Sequence, residues 1–230
     1  MKKFELTAEF VTNVFGKKLF RIKALVAFGN VEKGELGGFI EKEDNLSHDG
    51  DAWVSGNAQV SGNARVCGDA RVCGNARVCG DAQVCGDARV CGNARVCGNA
   101  QVCGDAQVCG DARVCGNARV CGNAQVSGNA QVYGNAQVFG NAQVFGNADY
   151  AVVAGFGRYF RTTTFFRCKD KILRVQCGCF YGDLAQFREI VKKTHGDSKY
   201  AKEYLAIADL MELHFSDKCG GEQMNDGKIY

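Results

Sequence analysis

Cysteine returns every sixth residue ten times running, at Cys67, Cys73, Cys79, Cys85, Cys91, Cys97, Cys103, Cys109, Cys115 and Cys121. These are ten of the 14 cysteines in a chain of 230 residues. Thiolate sulfur is a soft ligand that selects ions such as Cu(I) or Zn(II), so thiols at a fixed interval are candidate metal ligands. Whether they can act together depends on which way they point and how the chain stacks them.

The residues around the thiols answer the first question. Valine also recurs every six residues, from Val54 to Val144, sixteen times without a slip. Alanine stands two residues before each valine, and glycine stands two after it, followed by Asn or Asp. In an extended strand Ala and Val at i and i+2 share a face and the residue after Val takes the other, so the apolar pair points inward and the thiol outward. The Gly-Asn or Gly-Asp pair then turns the chain, since Gly and Asn tolerate positive φ. With Gly 30 and Pro 0, glycine must carry most of the turns. A strand of about four residues cannot bury its apolar face alone, so successive coils must stack and pair in parallel. The sequence predicts a solenoid.

The unit V-x-G-N-A-x resembles the hexapeptide repeat of left-handed parallel β-helices, over roughly residues 40–150. That resemblance implies three hexads per triangular coil, an 18-residue rung, a left-handed wind, and about five rungs for sixteen valines. Leu36–Glu41 reads L-G-G-F-I-E just ahead of the repeat. With that cap the whole chain is similar to uncharacterised prophage-type and YdcK-like hexapeptide proteins, which bring no established activity with them.

On an 18-residue rung the ten thiols fall into three vertical files: Cys67, Cys85, Cys103 and Cys121; Cys73, Cys91 and Cys109; Cys79, Cys97 and Cys115. Neighbours in a file are expected about 4.8 Å apart at Cα, inside the disulfide window of about 4.4 to 6.8 Å. Parallel Cβ vectors on registered strands suit the bridge poorly, so strain should oppose oxidation and favour sharing of a soft ion. The alternative is that Cys is a small stand-in for the Ser of Ser55, Ser61 and Ser127, multiplied by duplication of the repeat.

Other side chains offer less. Arg77, Arg95 and Arg113 form an outward file, and self-neutralisation is expected from Asp69 with Arg71, Asp87 with Arg89 and Asp111 with Arg113. Residues 51–150 hold seven Arg and seven Asp, which argues against a phosphate-tracking nucleic-acid surface. Tyr133, Phe139 and Phe145 take the cysteine slot near the end of the repeat, where the C-terminal domain is expected to fold over them. The alternative is a homo-oligomer seam or a protein partner. Acyl transfer, common among hexapeptide proteins, needs a base. No histidine lies between 51 and 150, and only His48, at a two-residue slip of phase across Ser47-His48-Asp49, stands near a rung. His48 would be the base of an acyltransferase-like alternative; the plainer role is a polar corner residue. A three-histidine zinc site is set aside because His48, His195 and His214 are scattered.

Before the repeat, alternating runs at Phe4–Phe10 and Leu19–Leu25 predict strands that cover the first rung's open edge. After Tyr150 the glycine units stop, and residues 151–230 carry thirteen basic and ten acidic side chains, hence the whole net charge of +3. A strand is predicted over Tyr159–Cys168, a turn at Lys169-Asp170-Lys171 and a returning strand over Ile172–Cys177. A helix capped by Asp183 and stopped by Gly196 follows, then a second from about Ser198 to His214. Cys177 and Cys179, with Cys168 and His195, could form a Cys-His pair or hold zinc, but C-x-C is shorter than the usual knuckle and facing a small core is the plainer role. No run of 18 apolar residues occurs and Met1–Phe10 mixes charges into its apolar residues, so the protein is expected to be cytoplasmic, with thiols kept reduced and no membrane partner.

The fold class is therefore mainly β: an N-terminal β cap over 1–45, a hexapeptide-repeat left-handed parallel β-helix over 46–150, and a small α+β domain over 151–230. The expected function is a non-enzymatic scaffold or binding protein whose cysteine columns ligate Cu(I) or Zn(II), with protein contacts through Tyr133, Phe139, Phe145 or the C-terminal domain.

Overall fold

The computed structural model describes residues 1–216; the last fourteen residues of the predicted 151–230 domain lie outside the described residues. The chain opens with an antiparallel hairpin, β1 (Phe4–Thr12) and β2 (Lys18–Ala24), and β2 pairs antiparallel with β3 (Leu36–Ile40). From β3 onward the pairing turns parallel, Phe39 opposite Gln59 and Ile40 opposite Val60.

Three parallel sheets then form the walls of a solenoid. The first stacks β3, Gln59–Val60, Arg77–Val78, Arg95–Val96, Arg113–Val114 and Gln131–Val132. The second runs from Trp53–Val54 to Gln143–Val144 and the third from Arg65–Val66 to Gln137–Val138, with Leu46 bridged to Val66 above it. Partners along the repeat are 18 residues apart, as in Arg77 opposite Arg95 and Val90 opposite Val108. There are six rungs rather than five, because Ile40 and Leu46 complete a first rung with Val54, and the other fifteen valines build five more.

The first rung carries the phase slip. Ile40 pairs with Val60 and Leu46 with Val66, 20 residues on, whereas Val54 pairs with Val72, 18 on. The two extra residues lie between Leu46 and Val54, and Lys3 holds that segment: its Nζ donates to the carbonyls of Gly50 and Ala52 at 3.0 and 2.9 Å. Burial pulls the Lys3 ammonium below its ordinary range, opposed by the charges of Asp51, Asp49 and Asp69. Asn45 is buried and donates from Nδ2 to the carbonyls of Gly62 and Ala64 at 3.1 and 2.8 Å, so the corner has partners for its backbone acceptors.

Inside, every alanine from Ala52 to Ala142 and every valine from Val54 to Val144 in the repeat is 0 % exposed. Burying a valine side chain contributes about 1.5 to 3 kcal/mol, and the stacked methyls form one continuous core from the cap to the last rung. The corners turn at glycine as expected. Gly68 has φ +68, and a Cβ there would lie 2.9 Å from the amide nitrogen of Gly86 on the next rung, so both the left-handed backbone and the close stacking require glycine.

The far end is sealed by a four-stranded antiparallel sheet in the order Tyr150–Val153, Thr163–Arg167, Leu173–Cys177, Phe180–Asp183. Its second strand crosses the last rung: Cys168 bridges to Ala142, and Thr164 Oγ1 accepts from the Gln137 amide at 3.0 Å. Phe166 and Cys168 join the solenoid core, while Phe165 joins a second core under α1 (Leu184–His195) and α2 (Lys199–Ser216). Asp183 caps α1 by accepting from the Gln186 amide at 2.8 Å, and Gly196 ends it. The outer strands Tyr150–Val153 and Phe180–Asp183 were not anticipated from sequence, since Tyr150 continues the valine spacing and Phe180–Asp183 is too short to show alternation.

Candidate thiol files

Each repeat cysteine follows a two-residue strand and sits at the approach to a glycine corner, as Cys79 does after Arg77–Val78. Its amide bonds to the valine carbonyl of the next rung, Cys79 to Val96 and Cys97 to Val114 at 2.9 and 3.0 Å. The 18-residue register therefore produces the three files expected from sequence. Most of the thiols are partly exposed, and Cys121 is the most buried of the ten at 9 %.

Within the files the sulfurs meet. Cys97 Sγ lies 2.6 Å from Cys115 Sγ, and Cys91 hydrogen-bonds with both Cys73 and Cys109. Cys103 and Cys121 are joined as a disulfide, with Cα atoms 4.7 Å apart. Strain is expected to oppose such bridging, and here one pair is bridged. The strands are only two residues long, so the cysteine stands outside the flat pleat that would hold its Cβ parallel to its neighbour's.

Burial raises the thiols of Cys79, Cys85, Cys91, Cys109 and Cys115 above the ordinary range, and neighbouring sulfurs add to the effect. Cys115 is pushed up to about 12, first by burial and then by its contact with Cys97. These groups are protonated thiols at neutral pH. Among the described residues no group of three or more His, Cys, Asp or Glu side chains converges as a metal-holding set; the sulfurs meet in vertical pairs.

The file of Cys79 and Cys97 opens onto a cavity of about 250 Å³, roofed by Val14 and Phe15 at the tip of the β1–β2 hairpin and floored by Gln59, Arg77 and Arg95. Arg77, Arg95 and Arg113 do stack on successive rungs. The expected Asp–Arg neutralisation is replaced by a different use of the aspartates. Asp111 accepts from Asn93 Nδ2 at 3.0 Å, Asp81 from Asn63 Nδ2 at 3.0 Å, and Asp69 from the Asp51 amide at 2.8 Å. Asn75 donates to Asn93, Asn99 to Asn117, and Asn117 to Asn135 in the same way. The corner residues link along the axis into ladders, and Asn75, Asn93 and Asp111 line one shallow groove with Arg77, Arg95 and Arg113.

His48 is packed into the cap. Its Nδ1 accepts from the Lys3 amide at 3.1 Å, its Nε2 lies 2.9 Å from Glu43 Oε1, and its ring stacks on Phe4 at 4.4 Å. Both ring nitrogens have partners within the cap. Tyr133 and Phe145 are 41 % and 50 % exposed, so the C-terminal domain does not fold over them as expected; it seats on the open end of the prism, where Phe166 and Cys168 fill the core. Phe139 is half-buried beside Arg119.

In the C-terminal domain, Cys177, Cys179 and His195 line a cavity of about 170 Å³ with Arg158, Arg161 and Tyr204. Cys177 Sγ accepts from Thr163 Oγ1 at 3.2 Å, and burial together with Cys177 pushes Tyr204 up to about 12. Cys168 belongs instead to the solenoid core, so the four-ligand set Cys168, Cys177, Cys179 and His195 is not assembled. The two arginines of this cavity carried no sequence signal, because a lone R-Y-F-R has no characteristic spacing.

No helix among the described residues is long and apolar enough to cross a membrane. No curated protein matches the chain at a significant level. A family model, the YdcK beta solenoid repeat, matches seven segments, some of them overlapping: 58–71, 70–86, 88–104, 106–122, 112–128, 124–138 and 130–146. The matched segments lie within residues 58–146, the stretch that builds the solenoid walls, which is thus similar to the YdcK beta solenoid repeat.

Proposed function

We propose that this protein is a non-enzymatic scaffold whose cysteine files bind a soft monovalent ion of the Cu(I) type between vertically adjacent sulfurs. The observation that carries this reading is the 18-residue register, which stacks the repeat thiols on successive rungs and brings the Cys97 and Cys115 sulfurs together; the two sulfurs must part to roughly 4 Å to take an ion between them. A pair of thiolates suits an ion content with two soft ligands, whereas a structural Zn(II) site takes four. The vertical pairs therefore favour Cu(I) over Zn(II) within a single chain. Loading must displace protons from thiols raised by burial, so it strengthens as pH rises. Tyr133 and Phe145, exposed near the last rung, are the side chains that would meet a protein partner.

The test is an anaerobic titration of the fully reduced chain with Cu(I) against a chromophoric competitor, with Zn(II) in parallel. About one Cu(I) per two repeat thiols, lost when the ten repeat cysteines are replaced by Ser, is the expected result. Equal uptake by the Ser-substituted chain would overturn the metal reading, and so would no uptake by either chain.

A further inference from the structure

We propose that each cysteine file is a site of reversible two-electron oxidation, in which disulfides form only between cysteines eighteen residues apart and can move along the file by exchange. The proposal rests on the rung register and holds whether or not the files bind metal.

The register decides which sulfurs can meet. Cysteines six residues apart stand on different walls, while those eighteen apart stand on successive rungs of one wall. One such pair, Cys103 and Cys121, is already a disulfide, and in the neighbouring file Cys97 and Cys115 are in sulfur contact. Cys85 hydrogen-bonds with Cys67, and Cys91 with Cys73 and Cys109, so contact along the axis recurs in all three files. The stacking cannot slip to offer other pairings, because a one-residue shift would turn every buried valine outward.

With a glutathione-type disulfide as oxidant, the thiolate of one cysteine attacks an oxidant sulfur, forms a mixed disulfide and releases one small thiol. The thiolate on the next rung then attacks the protein sulfur of that mixed disulfide, closes the vertical bond and releases the second small thiol. Two protein thiols thereby lose two electrons and two protons, which leave as two small-molecule thiols. Cys79 and Cys97 are partly exposed and line the open cavity under Val14 and Phe15, where an oxidant's sulfur can approach them. Once a bond exists, the thiolate of Cys85 can attack Cys103 Sγ, form Cys85–Cys103 and release Cys121 as the thiolate, with no net oxidation. Three sulfurs on successive rungs supply the donor, centre and leaving group of that exchange.

Counting follows from topology. The file of four holds at most two disulfides and each file of three holds one, so the repeat saturates at four bonds with two thiols left over. The experiment oxidises the reduced full chain, at high dilution, with oxidised glutathione, and then blocks free thiols, measures intact mass and maps linked peptides. Four repeat disulfides, all at a separation of eighteen, are expected. Links at a separation of six, or a different saturation number, would overturn the proposal. Two variants sharpen it. Cys97→Ser leaves Cys79 and Cys115 two rungs apart, so that file should form no bond and the total should fall to three. Cys115→Ser leaves Cys79 and Cys97 adjacent, so the total should stay at four. Serine occupies the equivalent slot at Ser55, Ser61 and Ser127, so both variants should keep the fold. A Cys79–Cys115 bond in the first variant, or equal totals in the two, would refute the register rule. Failure of Cu(I) binding would leave it untouched.

Discussion

Phe165 and Phe166 are consecutive on one strand and are buried in two different cores, Phe166 against the last rung of the solenoid and Phe165 against the helices. Strand alternation makes this strand a partition with an apolar residue on each face.

Truncating either ring should therefore cost about 3 to 5 kcal/mol, but in different places. Phe166→Ala should lower amide protection around Ala136 and Ala142 in hydrogen exchange. Phe165→Ala should leave those amides protected and loosen α1 and α2. Identical exchange patterns in the two variants would contradict the partition.

Corner glycines should differ by what lies beneath them. Gly98 has φ +69 and a Cβ there would lie 3.0 Å from the Gly116 carbonyl oxygen; Gly134 has φ +65 and nothing within 4 Å. Both Ala variants carry the left-handed backbone strain of about 1 to 2 kcal/mol. Gly98→Ala must in addition spread the rungs, so in urea denaturation it should lose clearly more stability than Gly134→Ala.

The corner ladders have a direction, because asparagine both donates and accepts whereas aspartate only accepts. Asn93 accepts from Asn75 at 3.2 Å and donates to Asp111 at 3.0 Å. Asn93→Asp removes that donor and sets a carboxylate against Asp111, which should cost about 1 kcal/mol and be partly relieved by salt. Asp111→Asn restores a donor toward Asn129 and should be neutral or stabilising. Thermal midpoints at low and high ionic strength distinguish these outcomes.

Thiol reactivity should follow burial. Because Cys115 is pushed up to about 12, its thiolate is scarce at pH 7 and grows as pH rises. Alkylation of the reduced chain should be at least roughly tenfold slower at Cys115 than at an exposed thiol of ordinary value, and should accelerate through alkaline pH. Cys97→Ser, which removes the neighbouring sulfur, should speed it. Peptide-resolved alkylation rates at several pH values give the answer.

The solenoid was legible because its signal is repeated: each inward valine votes for the same rhythm, and the 18-residue rung implied by the resemblance to hexapeptide β-helices placed all ten thiols in their files. The phase slip was equally plain, since Leu46 to Val54 is two residues longer than a hexad. What the residues hid was contact between side chains. Whether sulfurs on adjacent rungs meet depends on strands being two residues long, and the turning of Asp69 and Asp111 into axial ladders depends on the corner geometry. Alternation along Asp–x–Arg suggested ion pairs that the corners do not make. Likewise, the aromatic run Tyr133, Phe139, Phe145 invited a covering domain, but the prism's open end offered Phe166 and Cys168 a larger apolar surface to close.

Three walls per turn also tie the molecule's two ends together in angle as well as in length. Removing eighteen residues from the middle would shorten the prism by one storey and leave the hairpin and the helical module facing as they do now. Removing six would swing one end about the axis by a third of a revolution, carrying the exposed Tyr133 away from the wall that its strand shares with the hairpin. A protein of this build can change its reach in whole storeys while keeping its bearing, and can change its bearing through the number of hexads alone.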